Sequence, residues 1–106
     1  MKHEHIKTDE FKKMVEEGGY ELLDLRTQEE FDNGHIEGAK NIDFKHPDFN
    51  SMLEELEKDK KYLLYCRTGN KSGQTLDLMK ERDFIEAYNM TGGIVEWNDE
   101  GYDVVK

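Results

Sequence analysis

Helix-like and strand-like segments alternate along the whole chain, which predicts an α/β fold with a mostly parallel central sheet flanked by helices on both faces. Two further observations support that class. Tyr62-Leu63-Leu64-Tyr65 is a continuous apolar run, as expected of a central strand covered on both sides. No linker, repeat or low-complexity tract interrupts the alternation over 106 residues, a length that suits one compact domain and is too short for two. A single domain over residues 1–106 is the resulting expectation.

The opening Met1-Lys2-His3-Glu4-His5 is polar and runs straight into a helical pattern, with Thr8 placed to cap a helix that carries Phe11, Met14 and Val15 on one face. Gly18-Gly19 stops it, and Tyr20 to Leu25 reads as a short apolar strand. Thr27-Gln28-Glu29-Glu30 is a capping box opening a helix through Phe31, which ends at Asn33-Gly34 before a second strand over Ala39 to Ile42. Pro47 breaks the next segment. Ser51-Met52-Leu53-Glu54 is another capping box, with Met52, Leu53 and Leu56 as the apolar face of its helix. The run Tyr62 to Tyr65 delivers Cys66 at its carboxyl end, and a helical pattern extends from Ser72 to about Arg82. Ile85 to Tyr88 is a further strand, Gly92-Gly93 a turn, and Ile94 to Trp97 a short helix before the Tyr102-Asp103-Val104 tail.

Charged residues make up 38% of the chain and apolar ones 35%, but the apolar ones fall in periodic clusters, so the charge reads as surface and the domain as globular. A formal net charge of -10 repels polyanions and argues against nucleic acid or an anionic membrane surface as partner. The polar start has no apolar leader segment and no stretch approaches membrane-spanning length, so a cytoplasmic location is expected. The single cysteine excludes an internal disulfide and a multi-cysteine zinc site. It leaves three readings: buried filler, intermolecular bridge or reactive thiol.

The surroundings of Cys66 decide among them. Cys66-Arg67-Thr68-Gly69-Asn70-Lys71-Ser72 lies just beyond the carboxyl edge of a central strand, where open α/β sheets place their ligand sites. A short loop curling into a helix turns several backbone N–H groups inward and sets a helix N-terminus behind them, which can hold an anion or favour a thiolate. Free cysteine titrates near ~8.5 and falls to roughly 3.5–7.5 in such surroundings. Gly69 and Asn70 suit the tight turn, and Arg67 and Lys71 add two cations to an otherwise acidic chain. A filler cysteine needs none of these features.

These residues resemble a known family. The loop from Cys66 to Ser72 is similar to the active-site loop of rhodanese domains, and the likeness covers nearly the whole chain. Leu22-Leu23-Asp24-Leu25-Arg26, Glu30-Phe31 and Gly34-His35-Ile36-Glu37-Gly38-Ala39-Lys40-Asn41-Ile42 resemble that family's opening signature, and Gly92-Gly93-Ile94-Val95-Glu96-Trp97 with Gly101-Tyr102 its closing one. Lys71 stands where an arginine is common, and Asp103 where a proline often follows the Gly-Tyr pair. The resemblance implies a sulfurtransferase that carries sulfur as a persulfide on Cys66, with Arg67, Thr68, Gly69, Asn70, Lys71 and Ser72 binding the substrate. It implies a small sulfur donor such as thiosulfate, a cyanide, thiol or protein acceptor, and neither cofactor nor metal.

Other residues have plainer readings. His3 and His5 on a terminus make a weak metal fragment with no companion cluster. His35 is expected to make a structural hydrogen bond, Asp24 and Arg26 a structural ion pair, and Trp97, Phe31 and Tyr65 to be core aromatics. Two rival functions remain. A cysteine phosphatase needs a longer loop ending in an arginine that grips phosphate, whereas position 72 is serine. The other rival is a non-catalytic binding module, against which the retained cysteine and basic loop speak.

Overall fold

The apolar run lies at the middle of the sheet. In the computed structural model, which describes residues 1–106, β4 (Lys61–Tyr65) pairs on one side with β2 (Glu21–Asp24) and on the other with β5 (Glu86–Met90). The outer places go to β3 (Lys40–Asn41), beside β2, and β1 (Lys2–Ile6), beside β5. Every pairing is parallel, in the order β1-β5-β4-β2-β3. The connecting helices are α1 (Thr8–Glu17), α2 (Gln28–Asp32), α3 (Phe49–Glu54), α4 (Asn70–Glu81) and α5 (Gly93–Asp99).

Side chains alternate across a strand, and β4 shows what each face buries. Tyr62, Leu64 and then Cys66 enter a core with Leu53 of α3 and Leu76 and Met79 of α4. Leu63 and Tyr65 enter the opposite core with Phe11 of α1 and Ile94 and Trp97 of α5. The sheet is therefore covered on both faces. Phe11 stands edge-on to both Tyr65 and Trp97, with centroids 6.4 Å apart in each case, and each large side chain so buried contributes roughly 1.5–3 kcal/mol.

Adjacent strands β2 and β4 send their connections in opposite directions, β2 outward to β3 and β4 through α4 to β5. Their carboxyl ends thus border a crevice, the place where a parallel sheet can receive a ligand.

Several elements differ from the sequence reading. The opening residues form an edge strand instead of leading into the helix. Of β1 only Ile6 is buried, so no apolar alternation marks the strand. Thr8 does not cap α1. Lys7 occupies the cap position, while the buried Thr8 hydroxyl donates to a Glu96 carboxylate oxygen of α5 at 2.6 Å, a tertiary partner that displaces the local one. Ser51 heads no capping box either, because α3 starts at Phe49, whose side chain is buried, and leaves Ser51 exposed inside the helix. At α2 the expected box forms: Thr27 Oγ accepts from Glu30 N at 3.2 Å, and Glu30 Oε1 accepts from Thr27 N at 3.4 Å. Helix α4 begins at Asn70, two residues before the expected start, because Gly69 at φ 91° makes the turn in a single residue. Phe31 is half-buried rather than a core residue, since α2 is short and lies at the sheet margin, with its ring stacked on His35 at 3.7 Å.

Candidate active site

Strand β4 ends at Tyr65, and the next residue, Cys66, is 3% exposed at the floor of the crevice. Its sulfur accepts from Gly69 N at 3.2 Å and Ser72 N at 3.4 Å, and the Ser72 hydroxyl lies 3.3 Å away. Two amides of the expected ring thus reach the sulfur itself. Both belong to the turn that opens α4, a helix of 12 residues whose positive end faces the sulfur.

The β5–α5 connection holds the start of the cysteine loop. Ile94 N donates to the Cys66 carbonyl at 2.9 Å and Val95 N to the Arg67 carbonyl at 3.2 Å, which points these carbonyls away from the crevice. The contact is close on both sides. A Cβ on Gly93, at φ 63°, would run into the Arg67 carbonyl, and one on Gly69 would run into the Thr91 carbonyl. The closing Gly92-Gly93 signature therefore serves the cysteine loop directly.

A cavity of about 320 Å³ opens over the cysteine. Cys66, Arg67, Thr68, Asn70 and Lys71 line it, whereas Gly69 and Ser72 stand behind the sulfur. The opposite wall carries residues that the sequence did not assign to the site. Arg26, Thr27 and Glu30 come from the end of β2 and the start of α2, and Asp43 and Lys45 from the loop after β3. Nothing in a linear pattern marks Asp43 or Lys45, because only the crevice between β2 and β4 brings them to the cysteine.

The cations differ in availability. Arg26 grips the fully buried Asp24 carboxylate at 2.8 Å and also donates to the Gly34 carbonyl at 2.6 Å, which bears out the structural ion pair. Burial is the largest influence and works against its charge, but the hydrogen bond and the negative charge of Asp24, with Tyr65 and Glu30, together outweigh it and hold the guanidinium above its ordinary pKa. Arg67, Lys71 and Lys45 enter no ion pair and remain free for an anion. Asn41 braces this wall, donating to the Asp24 and Arg26 carbonyls at 3.1 and 2.9 Å. Burial, reinforced by Asp24, pushes the Tyr65 phenol well above its usual range, so it stays neutral and accepts from Ile36 N at 3.1 Å.

His35 does not line this cavity, and its Nδ1 meets the Phe31 carbonyl at 2.8 Å. His3 Nε2 meets the Phe84 carbonyl at 2.6 Å, and His5 Nδ1 meets the Asn89 amide at 3.0 Å. No helix is long and apolar enough to cross a membrane.

Comparison with known proteins places these features in a family. The rhodanese-like domain model matches residues 7–100. The probable adenylyltransferase/sulfurtransferase MoeZ of Mycobacterium tuberculosis is 37% identical over 76 residues, which are 72% of this chain and 19% of that protein. The thiosulfate sulfurtransferase GlpE of Shewanella oneidensis is 24% identical over 95 residues, 90% of this chain and 92% of GlpE. Among curated relatives the chain spans 60% of the length of one and 19% of another. The crystal structure of a rhodanese-related protein from Thermoplasma volcanium superposes with a TM-score of 0.84 at 28% identity, covering 96% of this chain and 97% of that one.

Proposed function

This chain belongs to the rhodanese-like domain family, and from that membership we propose that residues 1–106 act as one sulfurtransferase domain with Cys66 as its nucleophile. The observation that carries the proposal is the sulfur's surroundings. Gly69 N, Ser72 N and the Ser72 hydroxyl lie 3.2, 3.4 and 3.3 Å from Sγ, beneath a cavity that Arg67, Lys71 and Lys45 supply with positive charge. Such donors favour a negatively charged sulfur, as an oxyanion hole favours its oxygen.

The chemistry has two displacements. The Cys66 thiolate attacks the outer sulfur of thiosulfate, the donor's S–S bond breaks, and sulfite leaves with the electron pair. The resulting persulfide projects its anionic outer sulfur into the cavity. A nucleophile such as cyanide or a thiol then takes that sulfur, and the electron pair of the new S–S bond returns to Cys66 as thiolate. Arg67 and Lys71 orient the anionic donor and offset the repulsion of the chain's net charge of -10. A lone cysteine with no disulfide partner suits the reducing cytoplasm.

Incubation with thiosulfate should add one sulfur to the intact protein, seen as a mass increase that cyanide reverses and that Cys66→Ser abolishes. No adduct on the wild type, or an adduct that persists on Cys66→Ser, would contradict the assignment. Turnover of an aryl phosphate without sulfur uptake would make the domain a phosphatase instead.

A further inference from the structure

Behind Cys66 a chain of polar side chains runs from Ser72 to residues that the transfer chemistry leaves unused. Ser72 Oγ, fully buried, lies 3.3 Å from Cys66 Sγ and 2.5 Å from Oδ1 of Asn89, a residue of β5 that is 2% exposed. The Asn89 amide nitrogen faces His5 Nδ1 of β1 at 3.0 Å and the Gly69 carbonyl at 3.3 Å. Gly73 faces this junction from α4. A Cβ there would stand 3.3 Å from Asn89 Nδ2 and 3.5 Å from His5 Cε1, so a residue that weakens a helix interior keeps room for both side chains.

A serine hydroxyl has one hydrogen and cannot give it to Asn89 and to the sulfur together. With Cys66 as a thiol, the hydrogen goes to Asn89 Oδ1, and Ser72 Oγ accepts from S–H. When the S–H bond breaks and the proton leaves to water, the hydroxyl turns to the anionic sulfur and Asn89 Oδ1 loses its donor. We propose that Asn89 is a positioning residue for the sulfur chemistry: acting through Ser72, it competes with Cys66 for one hydroxyl hydrogen and so sets how readily the sulfur carries negative charge. His5 and the Gly69 carbonyl hold the amide with its oxygen toward Ser72.

This inference rests on the reading of Cys66 as the nucleophile. The charged groups lining the cavity over the sulfur are Arg26, Glu30, Asp43, Lys45, Arg67 and Lys71, and beside His5 the other ionisable side chain in the surface hollow is Asp77 of α4. Substitution at position 89 leaves the cavity groups and Asp77 in place and, among these, removes a partner only from His5.

The test is the rate of Cys66 alkylation by iodoacetamide as a function of pH. Asn89→Leu removes the competitor, so its profile moves to lower pH and alkylation below the midpoint runs roughly threefold faster than in the wild type. On a Ser72→Ala background the same substitution moves nothing. A profile for Asn89→Leu that coincides with the wild type or moves to higher pH overturns the proposal, and so does a displacement that survives in Ser72→Ala. A second measurement needs no variant: the Asn89 side-chain amide resonances of the wild type should shift with the same midpoint as alkylation, and resonances that stay fixed overturn the proposal. Neither readout transfers sulfur. A protein that shows the displacement yet takes no sulfur from thiosulfate supports the role of Asn89 and defeats the proposed function.

Discussion

At Gly93 the backbone takes φ 63° and lies against the peptide joining Arg67 to Thr68. Alanine there meets both a disfavoured conformation and the Arg67 carbonyl, so the cysteine loop must move away. We expect Gly93→Ala to cost about 1–3 kcal/mol in a urea melt and to slow persulfide formation at Cys66, with the circular dichroism of the fold retained. The cysteine loop itself was legible in the sequence, because Gly69, Lys71 and Ser72 around a strand-ending Cys66 have few other purposes. Asn89 was not. The expected strand stops at Tyr88, so this polar residue near the end of β5 reads as the start of a turn until the fold sets it beside Ser72 and His5. Lys45 escaped for a different reason, since it reaches the cysteine only across the crevice between β2 and β4.

Among the elements, the two expected capping boxes make a controlled pair. The box at Thr27 closes and the one at Ser51 does not, because burial of Phe49 sets where α3 begins. Thr27→Ala should therefore cost about 1 kcal/mol in a denaturant melt, whereas Ser51→Ala should stay within about 0.5 kcal/mol of the wild type. Equal losses would mean that α3 starts where the local signal puts it. Local patterns identified β2, β4, β5 and the helices α1, α4 and α5 because each buries apolar side chains. They failed at β1, whose Lys2, His3, Glu4 and His5 carry no such face and which is a strand only because β5 offers it a ladder.

For the molecule as a whole, a net charge of -10 surrounds an entrance that Arg67, Lys71 and Lys45 make locally positive. Salt screens distant charge more than charge in contact with the substrate, the screening length being about 10 Å at 0.1 M. For thiosulfate, wild-type kcat/KM should change by less than about twofold on raising salt, while the Arg67→Gln/Lys71→Gln variant should gain a few-fold as the remaining repulsion is screened. A fall with salt in that double variant would mean that other cations guide the donor. The place of β1 has a consequence of another kind. Lys2 to Ile6 take their ladder partners from residues 86 to 90 and from no other strand. During synthesis β1 thus has no ladder partner until the whole stretch between it and β5 has been made. Their pairing joins segments far apart in sequence, one of the widest loop closures in the sheet. Until β1 docks, the flank of β5 lies bare and offers an open edge to a second copy of the chain.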